Sequence, residues 1–151
     1  MSRSGRAGVA GIVALAVLVP QAGAASDPAP TAAQNRVLLI YNCEQGRYKP
    51  STVIVTCADA NFRVRGIGWS SWTGQEARGR GTALVNDCDP NCAAGTFRRY
   101  PIRLRAFRPR QTGGCVPGSL FTRLAWRFPQ AKPPESDRTG RTRLLCPPSG
   151  A

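Results

Sequence analysis

Arginine is the side chain through which this sequence can do most of its chemistry. The chain has 151 residues, with 21 Lys plus Arg against 8 Asp plus Glu, a formal charge of +13 and no histidine. Lys49 and Lys132 are the only lysines. The absence of histidine removes the commonest general base, the Ser-His and Cys-His nucleophile pairs and every zinc site that needs imidazole. So basic a chain favours anionic partners: nucleic acid, acidic polysaccharide, phosphate-bearing envelope polymers or anionic lipid heads. Abundant Ala, Gly, Pro and Arg with scarce Lys also follows from GC-rich coding, so the placement of the arginines matters more than their number.

That placement alternates. Between Phe97 and Phe107, Tyr100, Ile102, Leu104 and Ala106 fall on one strand face, and Arg99, Arg103 and Arg105 on the other. Between Leu120 and Phe128, the face of Leu120, Thr122, Leu124, Trp126 and Phe128 opposes that of Arg123 and Arg127. Pro109, Gly113, Gly114 and Pro117 lie in the connection. Paired as a hairpin, the two runs would gather Arg99, Arg103, Arg105, Arg123 and Arg127 on one basic, anion-binding face. Such a face is either a ligand surface or a solvated one.

Trp69 and Trp72 are three apart, so in a regular strand they point to opposite faces unless a bulge intervenes. One belongs inside; the other is a candidate aromatic platform for a sugar ring, a base or an arginine. The alternative buries most of both between two layers.

The carboxylates nominate no catalytic pair. Asp87, Asp89 and Asn91 imitate the first ligands of a calcium loop, but Cys92 replaces its glycine and Arg98 its closing glutamate. Asp59 and Asn61 read as turn caps. Glu44, Asp59, Glu76 and Asp87 lack any spacing that would assign a glycosidase pair. Gly66-Ile-Gly68 and Gly79-Arg-Gly81 lack the strand, GxGxxG and helix context of a phosphate loop. No cofactor and no metal site are expected.

The cysteines are read through their compartment. Arg3 and Arg6 precede an apolar run from Val9 to Val19, which Pro20 ends, and Ala22-Gly23-Ala24 is a small-x-small cleavage pattern. Residues 1–24 are therefore expected to be a cleaved signal peptide; the run is too short to cross a bilayer of roughly 30 Å. Six Cys in an exported chain are expected to form three disulfides, for which fifteen pairings exist. The preferred set is Cys43–Cys57, Cys88–Cys92 and Cys115–Cys146. The first closes a turn with Gly46 and Pro50, and the second staples Asp89-Pro90-Asn91. The third ties down the tail through a loop of about 30 residues, worth roughly 3–4 kcal/mol in the chain-entropy model.

These residues need a scaffold of strands. Residues 25–35 read as a flexible lead-in, 36–128 as a β domain and 129–151 as a Pro-rich basic tail tied by Cys146. Arg36–Tyr41 and Thr52–Cys57 are short strand-like runs; Phe62–Thr73 and Gly79–Val85 follow. No amphipathic helix is evident after the leader. The expectation is a small all-β domain, a sandwich or barrel stapled by disulfides.

Cys57-Ala-Asp59-Ala-Asn61, Ile67-Gly-Trp69-Ser-Ser-Trp72, Ala77-Arg-Gly79-Arg-Gly81 and Asn86-Asp-Cys88-Asp-Pro90-Asn-Cys92-Ala-Ala-Gly95 stand in an order that resembles uncharacterised small secreted proteins of actinobacteria. The resemblance covers roughly residues 36–107. It implies export and a compact disulfide-bonded β domain, with no activity to carry over. The functional expectation is an exported, non-catalytic binding or envelope-associated monomer. Its partner would be an anionic polymer (cell-envelope polymer, acidic polysaccharide or nucleic acid) or an acidic protein. The alternative is a secreted hydrolase or hydrolase inhibitor on the same scaffold.

Overall fold

A computed structural model of the chain describes residues 36–111, 116 and 118–144. The expected signal peptide, the lead-in and the Cys115–Cys146 pairing lie outside the described residues. Within them the protein is all-β, without a helix. The strands are β1 (Leu39–Ile40), β2 (Gly46–Arg47), β3 (Val53–Ile54), β4 (Phe62–Trp72), β5 (Glu76–Asn86), β6 (Phe97–Gln111), β7 (Ser119–Arg127) and β8 (Thr139–Arg143).

Strands β3 to β8 form one six-stranded antiparallel sheet in sequence order, curled into a half-barrel, while β1 and β2 form a separate small hairpin. Consecutive antiparallel neighbours need only short reversals, and the turn-rich segments between the alternating runs supply them. The inner face holds the core. Val64 and Ile67 of β4, Ala77 and Ala83 of β5, Ile102, Leu104 and Ala106 of β6, and Leu124 of β7 are all buried there. Val37, Leu39, Ile40, Val53 and Val55 from the N-terminal segment join the same cluster. Full burial of each Leu or Phe contributes about 1.5–3 kcal/mol.

Two disulfides fasten the N-terminal cover, residues 36–57, and the β5–β6 loop: Cys43–Cys57 and Cys88–Cys92, the pairs preferred from the sequence. The second sits beside Asn86, a buried amide whose Nδ2 donates to Asn61 Oδ1 at 3.0 Å and to the Cys92 carbonyl at 2.7 Å. The Cys88 backbone N–H in turn donates to Asn86 Oδ1 at 3.1 Å. A polar group at this depth is tolerated because its bonding capacity is used.

The tryptophans follow from two irregularities in β4. Its register against β5 shifts between Arg65 and Gly68 and again between Trp69 and Ser71. These bulges turn both indoles to the inner face, where they meet edge-on at 4.7 Å. Trp69 Nε1 donates to the Pro50 carbonyl at 2.8 Å and Trp72 Nε1 to the Val37 carbonyl at 2.9 Å. Both rings thus pin the N-terminal cover to the sheet.

The sheet continues past Phe128. The sequence ends the β domain at Phe128 and makes 129–151 a Pro-rich tail, yet Thr139–Arg143 pairs with β7 from Arg123↔Arg143 to Arg127↔Thr139. Gly140 makes the pairing possible, since a Cβ there would overlap the ring of Trp126 lying across it.

Candidate anion-binding face

The outer face is built by the same alternation that fills the core. Strands β6 and β7 pair as an antiparallel hairpin, with Arg103 opposite Arg127 and Arg105 opposite Ala125. Residues directly opposite one another share a face. Arg99, Arg103, Arg105 and Arg127 are exposed and Arg123 is half-buried. The geometry therefore brings all five sequence-nominated arginines to one side of the sheet.

The neighbouring strands enlarge that side. Arg80 of β5 lies opposite Arg103, which lies opposite Arg127, so three guanidinium-bearing positions stand abreast at the roughly 4.8 Å spacing of adjacent strands. In the next row, Arg78 faces Arg105, then Ala125 and Arg141. A third row runs Glu76, Phe107, Arg123, Arg143. Arg63 and Arg65 of β4 oppose Leu84 and Thr82 on the same side. Arg63 differs from the rest: its guanidinium carbon lies 4.3 Å over the Phe97 ring, and its buried Nε has no hydrogen-bond partner.

Counter-charge is scarce on this face. Among the described residues, three ion pairs occur: Arg78–Glu76 at 2.6 Å, Arg105–Glu76 at 2.7 Å and Arg98–Asp87 at 2.9 Å. Glu76 thus already occupies Arg105, one of the five, together with Arg78. Hydrogen bonds from Arg78 and then Arg105 hold the Glu76 carboxyl below its ordinary range. Arg80, Arg103, Arg123, Arg127, Arg141 and Arg143 have no carboxylate partner among the described residues. Like charges opposite one another cost tenths of a kcal/mol up to about 1.

At the β7–β8 side the face becomes concave. Phe107, Arg108, Arg123, Arg141, Thr142 and Arg143 line a recess of about 700 Å³. Strict alternation would put Arg108 on the inner face with Ala106. Its left-handed backbone, φ 56°, instead brings it into the recess beside Arg123 and Arg143. A non-glycine residue in that conformation costs of order 1–3 kcal/mol. The Thr122 hydroxyl donates to the Arg108 carbonyl at 2.8 Å and satisfies the displaced acceptor. Arg123 is held below the ordinary guanidinium value, first by partial desolvation and then by the charges of Arg143, Arg108 and Arg141.

Two further acids, Asp59 and Asp87, have scaffold partners. Asp59 Oδ1 accepts from the Asn61 backbone N–H at 3.0 Å, the capped turn expected from the sequence. Asp87 Oδ1 accepts from the Thr96 backbone N–H at 2.7 Å, and its Oδ2 binds Arg98. Both carboxyls are drawn below their ordinary values, chiefly by those backbone hydrogen bonds. No group of three Cys, Asp or Glu side chains suited to a metal ion occurs among the described residues. Nor is any helix there long and apolar enough to cross a membrane.

Sequence reasoning missed Arg63, Arg65, Arg78, Arg80, Arg108, Arg141 and Arg143 as members of this surface. The signal existed for four: Arg63 and Arg65 alternate with Phe62 and Val64, and Arg78 and Arg80 with Ala77, Gly79 and Gly81. Small residues hide such a period because they do not look like a core face. Comparison with protein-family models, curated proteins and solved structures finds no match.

Proposed function

We propose that this chain is an exported, non-catalytic binding domain whose arginine face holds an anionic polymer of the cell envelope or its surroundings. The observation that carries the reading is the row Arg80–Arg103–Arg127, abreast on three strands and without carboxylate partners among the described residues. A repeated polyanion neutralises such a row with little rearrangement, because the sheet already fixes the positions. The guanidinium fork suits phosphate, sulfate and carboxylate alike. The two disulfides are compatible with an extracellular location and support export.

The test is retention of the wild-type chain and of an R80Q/R103Q/R127Q variant on heparin, duplex DNA and a teichoic-type polymer at two salt concentrations. All three side chains are exposed, and surface changes of this kind usually shift stability within about 0.5 kcal/mol. The reading expects wild-type retention to fall steeply with salt, as counterion release requires, and the variant to elute much earlier. Equal elution of both proteins on all three matrices would overturn it.

A further inference from the structure

The recess at the β7–β8 side differs from the flat rows beside it. Its arginines come from three strands: Arg108 from β6, Arg123 from β7, Arg141 and Arg143 from β8. They surround a common volume of about 700 Å³, within the 300–1,000 Å³ usual for small-ligand sites. None has a carboxylate partner among the described residues. A departure from strand geometry at Arg108 brings the fourth guanidinium in.

We propose that this recess is a binding site for closely spaced phosphoryl groups, such as those of an oligophosphate chain or of a phosphate-bearing polymer. The inference rests on the anion-binding reading and names the ligand chemistry of its most concentrated part. A carboxylate offers two coplanar oxygens and one charge, which leaves most of the cluster unneutralised. Phosphoryl oxygens are tetrahedral and present themselves to forks arriving from several directions. Linked phosphoryl groups also carry several charges within a few ångströms, matching four guanidiniums around one volume. The recess is larger than a single phosphate needs, which favours a chain of them. The mutual repulsion felt by Arg123 is relieved by such a ligand.

Isothermal titration of the full chain with tripolyphosphate, pyrophosphate and short polyglutamate at low salt tests the assignment. R123Q, R123K and R141Q are compared with R47Q, which removes the same charge from the cover, where Arg47 lies over Tyr41 at 4.9 Å. Expected are tripolyphosphate binding tighter than pyrophosphate, and polyglutamate weakest. R123Q and R141Q should each lose at least tenfold in affinity, R123K an intermediate amount because it keeps charge but not the fork, and R47Q less than twofold. The exposed Arg141 keeps the test valid if the half-buried Arg123 proves needed for folding. A teichoic-type polymer competing with tripolyphosphate would assign the phosphoryl groups to a polymer; failure to compete would assign them to a free oligophosphate. Equal losses in R47Q and R141Q would overturn the site in favour of general charge attraction. Absence of tripolyphosphate binding while heparin retention persists would overturn the recess and leave the arginine face standing. Loss of both would remove the two readings together.

Discussion

Glu76 holds two guanidiniums at once, and in doing so it competes with any anion that approaches this side of the sheet. Its Oε1 takes Arg78 and its Oε2 takes Arg105. Because its folded pKa is the lower one, both pairs are complete above the ordinary carboxylate range. Their contribution to stability is lost only as pH falls through the folded value. At neutral pH, Glu76→Gln removes a negative charge and frees both arginines from their carboxylate. The variant is expected to elute from heparin at higher salt than wild type, with a thermal midpoint close to it. On duplex DNA its log K against log salt should steepen by about 1 to 2, since each phosphate contact contributes about 0.9. A sulfated polymer, which stays ionised in acid, should bind wild type more tightly once pH drops below the ordinary glutamate range. Unchanged elution of Glu76→Gln would show that Arg78 and Arg105 take no part in binding.

At the scale of strands, glycine decides where large rings can lie. Trp126 rests across Gly140 of β8, and Trp69 across Gly79 of β5, where a Cβ would stand 2.9 Å from the indole. Gly140→Ala is therefore expected to destabilise the fold by about 1–3 kcal/mol, the usual cost of overpacking; urea unfolding followed by Trp fluorescence reads it directly. A variant as stable as wild type would mean that the ring simply moves aside. The alternation in β6 and β7 was legible in the sequence because bulky apolar residues mark one face and arginines the other. In β8, by contrast, Gly140 and Thr142 occupy the inward positions, and a strand that packs under a ring rather than into the core carries no apolar period. The shared face of Trp69 and Trp72 was similarly hidden: it depends on two bulges that move the spacing of three back into register. Phe121 is buried against Trp72 at 5.5 Å although the alternation groups it with Arg123. Local patterns announce faces, but the irregularities that re-aim them arise from what packs opposite. The recess was illegible for this reason, since its Arg108 departs from the strand period and Arg141 and Arg143 ride on β8.

For the molecule as a whole, the cover is bound to the sheet by little continuous strand pairing. β1, β2 and β3 are each two residues long, and the indole donors, the buried aliphatics and Cys43–Cys57 supply the rest. A disulfide spanning 14 residues of chain is worth roughly 3 kcal/mol in the chain-entropy model. Replacing both cysteines with serine should lower the urea midpoint accordingly, while the Cys88–Cys92 loop stays closed in a non-reducing peptide map. An unaltered midpoint would show that packing alone holds the cover. Because the outer sheet face is formed by β4 to β8 and not by the cover, heparin retention of this variant below its unfolding transition should match wild type.

Among the described residues β8 is the last strand of the sheet, and its outward positions are Thr139, Arg141 and Arg143. Charged side chains on a terminal strand keep sheets of neighbouring molecules from joining edge to edge. That protection is colloidal, and a bound polyanion cancels it. Titrating the protein with a long polyphosphate or heparin should accordingly leave the solution clear at first, turn it cloudy near charge balance, and clear it again when polymer is in excess. Light scattering across that titration would show the cloud point dissolving with added salt. Short oligophosphates, which cannot bridge two molecules, should give no cloud at any ratio. The surface that keeps single molecules apart would then also determine when many of them condense along one polymer.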